Sequence, residues 1–517
     1  MTPAQRRQKS YRLRVAAATS HKSTPAPTHP SNGDEAKYAS RIGNYSKGLP
    51  HNGLGEVLPG AYLKFLKAVS TGKPADFEAI PLAAGPKRRK LVNPQAGLAF
   101  DLEGLDSHQF GIIAPPAFDS REQAAEIVEN YWMALLRDVN FNDYGSSPLA
   151  GAAATELSGL PGYKGPRSGG TVTPDVLFRG VYPGDKVGPY LSQFLLLPAN
   201  FGSQIVDMRQ TTYLHNTDYM TAFPDWLGVQ NGEMRGLNDF DTKHRYIRNG
   251  RDISAFVHID VLYQSYFNAC LTLLHLNAPL NDGNPYMKSK NQEGFGTFGG
   301  PHLKTIVAEV STRALKTVWY QKWFVHRRLR PEAFGGAIHN VNSGAAAYPV
   351  HSDALTSMAV SKAHTAHGTW LLPMAFPEGS PLHPSYGQGH GTVAGACVTI
   401  LKAFFNGKTK IAHLLKNSPP TFPVKKPVIC NFTGLALIDY PGPDAAKMTV
   451  EGELNKLAAN IAIGRNHAGV HWRSDYTESL KLGEKVAIDI LRDQKSGYNE
   501  TFGGLKFTRF DGTTVVV

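Results

Sequence analysis

The chain has 517 residues, of which 42% are hydrophobic and 19% charged, and its formal net charge is +12. This is an ordinary globular composition with ample length for a large core. The positive charge permits an anionic substrate, a membrane surface or nucleic acid as a partner. Nucleic acid is not expected, because much of the excess charge lies in the N-terminal tail and residues 87–90, and no nucleic-acid motif is apparent.

The cysteines and the apolar runs exclude further classes. Cys270, Cys397 and Cys430 lack the spacing of a disulfide framework or a zinc site. No apolar run is long enough to span a membrane. The first 35 residues are basic and then rich in Pro, Ser and Thr, without the apolar segment of a secretory signal, so the compartment is left open with the cytoplasm as the default.

The N-terminal part of the chain is predicted to contain little regular structure. Residues 1–38 are expected to form a disordered tail, ahead of a large helical domain over residues 39–517. The segment 39–120 is rich in Gly and Pro, with one short helix near residues 60–69. Residues 145–188 are dense in Gly, Ser and Pro and are interpreted as mostly loop.

The remaining elements are helical, with long irregular connections. Apolar residues at helical spacing predict helices over residues 121–139, 253–276, 305–324, 392–405, 451–463 and 476–491. The C-terminal residues 505–517 predict a β-hairpin that turns at Asp511 and Gly512. Connections of this length in a compact protein are often functional or involved in assembly.

A glycine-rich loop over residues 383–391 carries two histidines, His383 and His390, and leads straight into the helix predicted from Thr392. Free backbone N–H groups and the helix dipole make such a helix start a ready site for an oxyanion. The glycines allow the backbone to approach the ligand closely. Two other stretches are needed to decide what that oxyanion is.

The first of these stretches, residues 322–331, places Lys322 near the end of a helix and Arg330 directly before Pro331, where the chain should turn. The second, residues 464–475, contains Arg465 and, six residues later, His471. Asp475 follows His471 by four residues, so it could share a helix face with it and fix the tautomer of a ligating imidazole. Taken alone, each stretch also fits a purely structural interpretation.

Together the three stretches supply a lysine, two arginines, a glycine loop at a helix start and two histidines. Burying so much charge without matched partners would be very costly. The combination therefore predicts a pocket for a small, highly charged tetrahedral oxyanion such as phosphate or vanadate.

The order Lys-x7-Arg-Pro, then Gly-His at a helix start, then Arg-x5-His resembles the vanadium-dependent haloperoxidases, whose anion pocket is shared with the type 2 phosphatidic acid phosphatases. The resemblance runs from Arg245 to Asp475. It implies a mostly α fold of two four-helix bundles in one large domain, with the active-site half at about residues 245–495, vanadate as cofactor, and a homo-oligomer, most simply a dimer.

The resemblance also implies roles for individual residues. Lys322, Arg330, Gly389 and Arg465 would hold the equatorial oxygens of vanadate, His471 would be the metal ligand, and His390 would act as acid–base group. Vanadium would act as a Lewis acid towards hydrogen peroxide, with Lys322 polarising the bound peroxide for attack by halide. The resulting hypohalous acid equivalent would halogenate an electron-rich organic compound.

Three positions bear on affinity and on the choice of halide. Gln388 stands where the family usually has serine, and its longer amide could reach the anion from further back, point away or occupy the pocket. His383 matches the bromoperoxidases, whereas Trp319 is typical of the fungal chloroperoxidases. Bromide is the expected halide, with chloride as the alternative.

Other functions stay open at this point. One alternative is an acid phosphatase that uses His390 and His471. Another is a homologue that has lost vanadate because of Gln388 and carries out non-redox chemistry such as an isomerisation. A non-catalytic anion-binding or assembly protein is the remaining possibility.

Overall fold

The computed structural model describes residues 1–85 and 87–517, and its regular structure is almost entirely helical. The α-helices are α1 (Pro3–Ser23), α2 (Asp34–Lys37), α3 (Pro59–Thr71), α4 (Pro74–Glu78), α5 (Arg121–Leu135), α6 (Pro148–Gly159), α7 (Phe223–Gln230), α8 (Gly250–Ile259), α9 (Gln264–His275), α10 (Gly300–Tyr320), α11 (Pro331–Asn342), α12 (Ser352–Leu355), α13 (Met358–His367), α14 (Gly389–Phe404), α15 (Ile411–Lys416), α16 (Val450–His467) and α17 (Arg473–Gly497). The predicted mostly helical fold is confirmed.

Helices α10, α14, α16 and α17 pack as a four-helix bundle around α14. Helix α14 is buried along nearly its whole length, as expected for a helix that is apolar on all sides. Glycines allow α14 and α17 to approach closely: a Cβ at Gly395 would lie 2.1 Å from the carbonyl oxygen of Leu480, and one at Gly483 would lie 1.9 Å from that of Thr392. This bundle carries the candidate site at one end.

A second group of helices gathers around α5 and comprises α6, α11, α12 and α13. Ser120 caps α5 by accepting from the N–H of Gln123. The helix is buried from Gln123 to Ala134, including the full side chains of Tyr131 and Trp132. Because α5 also contacts α16, the two helical groups share one continuous core.

The strands form three small antiparallel pairs. They are β1 (Ala199–Phe201) with β2 (Gln204–Val206), β3 (Val428–Cys430) with β4 (Leu437–Asp439), and β5 (Lys506–Thr508) with β6 (Thr514–Val516). In the last pair Phe507 lies opposite Val515, and the turn between the strands contains Gly512 in the left-handed region. The predicted C-terminal hairpin is therefore confirmed.

The N-terminal segment differs from the predicted disordered tail, since residues 3–23 form helix α1. A capping box between Thr2 and Gln5 starts this helix, and His21 contacts Asp493 of α17 at 3.0 Å. No residue of α1 is buried. The helix was missed because it has no apolar face, so the sequence shows no helical period there.

Several helix boundaries also differ from the predictions, and they affect the site. The helix expected over residues 253–276 is two helices, α8 and α9, interrupted at Asp260. Helix α14 begins at Gly389 rather than Thr392, so the glycine loop already forms its first turn. Residues 145–188, interpreted as loop, contain α6.

Neither the lengths of the apolar helices nor the cysteines depart from what the sequence predicts. Across residues 1–85 and 87–517, no helix combines the length and apolarity needed to cross a membrane. Cys270, Cys397 and Cys430 are all buried and free. Burial raises the pKa of the Cys270 thiol to about 12, which makes it an unreactive core residue.

Candidate active site

Lys322 lies in a π turn, Gln321–His326, that follows α10 and directs its side chain into the protein. Its Nζ atom donates to the carbonyl oxygens of Pro384 and Ser385, at 2.9 and 2.8 Å, and the residue is fully buried. Within the described residues these carbonyls are its hydrogen-bond partners. The ammonium charge is therefore held against the glycine loop without a carboxylate in contact.

Arg330 precedes α11 and has the extended backbone expected before Pro331. Its guanidinium joins the glycine loop to the third stretch. Nε donates to the carbonyl oxygen of His383 at 3.0 Å, and Nη2 donates to His383 Nδ1 at 2.9 Å. Nη1 donates to His471 Nε2 at 2.9 Å and to the carbonyl oxygen of Val470 at 2.7 Å.

Arg465 lies on the last turn of α16, which is longer than the sequence predicted. Its Nη1 donates to the carbonyl oxygen of Val257 in α8 at 2.7 Å, and its guanidinium carbon lies 5.8 Å from the centre of the Phe376 ring. Its Nε atom is buried and has no partner among the described residues. A donor left in this state is available to an anion.

His471 lies just before α17 and is held by a carboxylate. Its Nδ1 donates to Asp475 Oδ2 at 2.7 Å, and the same oxygen accepts from the N–H of Trp472 and from the hydroxyl of Ser385. This arrangement assigns the proton to Nδ1. Nε2 is then left without a proton, as a metal-ligating imidazole requires, and in this structure it accepts from Arg330 Nη1.

His390 is the second residue of α14, and its Nε2 lies 3.0 Å from Oδ1 of Asp260. Its side chain is partly exposed, whereas that of Asp260 is nearly buried. The N–H groups of Gly389, His390 and Gly391 have no acceptor within the part of the chain that the structure describes. They form the free helix N-terminus that the glycine loop predicted.

Gln388 uses its side-chain amide to bind the backbone of α16. Its Nε2 donates to the carbonyl oxygen of Ala462 in α16 at 2.9 Å, and its backbone N–H donates to Ser479 Oγ at 2.6 Å. Its Oε1 is buried and has no partner in the described residues. The amide nitrogen of Gln388 is therefore used to tie the start of α14 to α16.

His383 and Trp319 lie against each other beside Lys322. Their ring centres are 4.8 Å apart, and Lys322 Nζ lies 5.7 Å from the Trp319 ring. Trp319 also donates from Nε1 to the carbonyl oxygen of Val92 at 3.1 Å. The two residues therefore form an aromatic wall on the side of the lysine.

The site is electropositive and shielded from water. Burial, together with the neighbouring Arg330, lowers the pKa of Lys322 well below its ordinary value. Burial lowers the pKa of Arg330 to about 10 and also lowers that of Arg465. The pKa of His471 is held well below its ordinary range by burial, Arg330 and Lys322, which favours the neutral imidazole, the form that binds a metal.

These residues fit a small oxyanion whose centre accepts a nitrogen ligand. Lys322 and Arg465 donate to backbone carbonyls, and Arg465 retains an unpaired buried donor within the described chain. The adjoining helix start offers free N–H groups, and His471 offers a neutral nitrogen. A multiply charged tetrahedral metal oxide such as vanadate satisfies both sets of groups, whereas a plain cation would be repelled.

The structure thus gathers the residues that the sequence singled out. Contacts run from Lys322 through the glycine loop to Arg330 and His471, while Arg465 and His390 are both tied to the end of α8. Asp260 and Ser385 also belong to this group, and neither was predicted from the sequence. Ser385 lies in the same loop and could have been noticed, but nothing in the sequence indicated that Asp260 faces His390.

A helical bundle that brings buried cations, a neutral imidazole and free backbone N–H groups to one end defines an oxyanion-binding class of protein. The family model described as the VCPO second helical-bundle domain matches residues 303–499. The vanadium-dependent bromoperoxidase of Corallina pilulifera is 37% identical over 603 residues, covering 98% of this chain and 98% of that protein. That of Ascophyllum nodosum is 33% identical, covering 99% of this chain and 92% of that protein.

A solved structure gives the same result. The homohexameric structure of the second vanadate-dependent bromoperoxidase from Ascophyllum nodosum matches with a TM-score of 0.92 at 33% identity. The match covers 99% of this chain and 90% of that one. The chain belongs to the vanadium-dependent bromoperoxidase family.

Proposed function

We propose that this protein is a vanadate-dependent haloperoxidase, which uses hydrogen peroxide to oxidise bromide to a hypohalous acid equivalent that halogenates electron-rich organic compounds. The observation that carries this proposal is the gathering of three cations around His471: Arg330 contacts its Nε2, and Lys322 and Arg465 lie near enough to lower its pKa. The near-complete match to the bromoperoxidases supports the choice of peroxide and bromide.

Bound vanadate would supply a Lewis-acidic centre that activates peroxide without a change in metal oxidation state. The chain would hold it through His471 Nε2, through the side-chain donors of Lys322, Arg330 and Arg465, and through the N–H groups at the start of α14. Lys322, Arg330 and Arg465 are held by backbone carbonyls and His471 by Asp475, which limits the reorganisation that binding an oxyanion would require.

His390, Lys322 and His383 would act on protons, on developing charge and on the halide. His390 is held at Nε2 by Asp260, which leaves Nδ1 to exchange a proton, and its partial exposure connects it to solvent. The ammonium of Lys322 would stabilise negative charge that develops on an oxygen of the ligand. His383 beside Trp319 forms the wall where we place the halide, with chloride as a second substrate.

The decisive experiment is halogenation of a phenolic dye by the purified protein with peroxide, bromide and added orthovanadate. We expect bromination that depends on vanadate, is lost in His471→Ala and is retained in His413→Ala, an exposed histidine remote from these contacts. Absence of halogenation at every vanadate concentration would reject the proposal.

Gln388 supports a second candidate function. Because its amide binds Ala462 and not the anion, the pocket has one side-chain donor fewer than a serine at this position would give. The candidate is a homologue that carries no vanadate and performs non-redox chemistry such as an isomerisation. The vanadium content of protein purified from vanadate-supplemented cells separates the two, and phosphate-ester turnover would identify the phosphatase alternative.

We also propose that the protein works as a homo-oligomer. The matched Ascophyllum nodosum protein is described as a homohexamer, whereas a dimer was the expectation from the sequence and stays a prediction. Helix α1 supports assembly, since it is 21 residues long and has no buried residue. Tyr11 and Val15, four residues apart, are 64% and 45% exposed, so they offer two uncovered apolar side chains to a second copy.

A further inference from the structure

The carboxylate of Asp475 is shared between His471 and Arg328. Its Oδ2 atom accepts from His471 Nδ1 at 2.7 Å, and its Oδ1 atom accepts from Arg328 Nη1 at 2.9 Å. The side chain of Asp475 is completely buried and that of Arg328 almost so. One carboxylate oxygen therefore orients the imidazole, while the other is fixed by a guanidinium that does not itself touch the oxyanion pocket.

Arg328 is anchored on the far side by helix α5. Its Nη2 donates to Glu126 Oε2 at 2.8 Å and to Gln123 Oε1 at 2.7 Å. The guanidinium lies beside the rings of Trp472 and Tyr386, with its carbon 4.8 and 5.8 Å from their centres. Aromatic neighbours together with forked hydrogen bonds leave the guanidinium one orientation.

The same residue also fixes the glycine loop. The N–H of Ser385 donates to the carbonyl oxygen of Arg328 at 3.0 Å, and the Ser385 hydroxyl donates to Asp475. Glu126 in turn accepts from the N–H and hydroxyl of Ser474, next to Asp475. Arg328 thus connects α5, the loop and the start of α17, the segments that surround His471.

A neighbouring arginine, Arg473, also forms a buried ion pair with a glutamate of α5, but it does not contact Asp475 within the described residues. Arg473 donates from Nε to Glu129 Oε2 at 2.7 Å and is equally buried. Its hydrogen-bond partners are Glu129 and the carbonyl oxygen of Arg179, and Asp475 is not among them within the described residues. Arg473 therefore shows what a purely structural arginine looks like at this point of the fold.

We propose that Arg328, anchored by Glu126, is a positioning residue that holds Asp475 so that His471 keeps its proton on Nδ1 and presents the lone pair of Nε2 to the metal. The inference rests on the proposed vanadate site. Without Arg328, Asp475 would be a buried carboxylate without its charge partner, and it would rotate away from His471. The imidazole could then move its proton to Nε2, which cannot bind a metal in that form.

The test compares Arg328→Gln with the matched control Arg473→Gln. Each removes one buried guanidinium from a pair with a glutamate on α5. Vanadate affinity is measured by equilibrium dialysis, and the His471 tautomer is read from imidazole ¹⁵N shifts in vanadate-free protein, assigned with His471→Gln. We expect Arg328→Gln to lower affinity by about 10- to 100-fold and to shift the tautomer, while Arg473→Gln leaves both unchanged.

The inference is overturned if the two variants lose affinity equally, or if Arg328→Gln keeps the wild-type tautomer. If Arg328→Gln does not fold, Arg328→Lys and Glu126→Gln take its place, and an unchanged tautomer in both would equally overturn it. Failure of the wild-type protein to bind vanadate would count against the proposed function. The tautomer comparison would still decide the role of Arg328.

Discussion

Oδ1 of Asp260 lies 3.0 Å from Nε2 of His390, although the two residues belong to different elements. Asp260 is the residue at which the chain leaves helix α8, and His390 is the second residue of helix α14. Asp260 is the residue at which the helix expected over residues 253–276 breaks. The break therefore has a structural consequence at the site: it turns a carboxylate towards the histidine proposed to move protons.

The first prediction concerns this pair. His390→Ala should reduce the turnover number by about 100-fold, the usual contribution of a general acid–base, and Asp260→Asn should reduce it less. Vanadate affinity should fall much less than turnover, because His390 is not the metal ligand. Steady-state bromination with saturating vanadate measures the first effect and equilibrium dialysis the second. Full turnover by His390→Ala would contradict the assignment, and His364→Ala, stacked on Trp370, is the control.

The second prediction concerns Gln388. Gln388→Ser should raise vanadate affinity by about tenfold, the value of one added hydrogen bond to a charged group. The same change removes the bond to Ala462 and should lower the free energy of unfolding. Gln388→Ala is the matched control, since it loses that bond without gaining a hydroxyl. Equal affinity of the serine and alanine variants would show that position 388 does not face the anion.

The third prediction concerns assembly through α1. Tyr11→Glu with Val15→Glu should lower the oligomer mass in sedimentation velocity, because two charges would replace the uncovered apolar side chains. Lys9→Gln with Ser20→Glu changes the net charge equally on the opposite side of the helix and should leave the mass unchanged. A double-glutamate variant that sediments like the wild type would exclude this face as an interface.

The fourth prediction concerns Asp185, whose buried carboxyl accepts from the N–H of Tyr182 at 2.8 Å. Burial raises its pKa to about 7, although Lys456 lowers it in part. The folded state therefore binds a proton that the unfolded state releases near pH 4, so Asp185 lowers stability progressively as pH rises from about 4 to 7.

Asp185→Asn removes this proton dependence while keeping the shape of the side chain. The variant should gain stability relative to the wild type on going from pH 5 to pH 8. Urea unfolding at both pH values measures the change. Asp444→Asn is a suitable control, because the pKa of Asp444 is lowered. Its carboxyl is therefore ionised in both the folded and the unfolded state between pH 5 and pH 8, so its stability difference from the wild type should stay constant over that range. A constant difference between the wild type and Asp185→Asn would contradict the prediction.

The sequence grouped residues that the structure brings together, whereas several of the helices that carry them begin or end elsewhere than predicted. Lys322, Arg330, Arg465 and His471 were selected by residue type and order, and charged groups of these types have few stable ways to be buried together. The break at Asp260 was invisible, because Leu262, Tyr263 and Tyr266 continue the helical period past it. Arg328 could not be told apart from Arg327, since only tertiary contacts distinguish them.

The buried cations also affect the protein when no oxyanion is bound. Lys322 and Arg465 are held by carbonyl dipoles, which offset only part of the cost of removing a charge from water. An anion that enters the pocket is therefore a folding ligand as well as a reagent, because it binds the folded chain and not the unfolded one. The protein should resist heat and proteolysis better when loaded, so the supply of the oxyanion in a cell would influence how much of it survives.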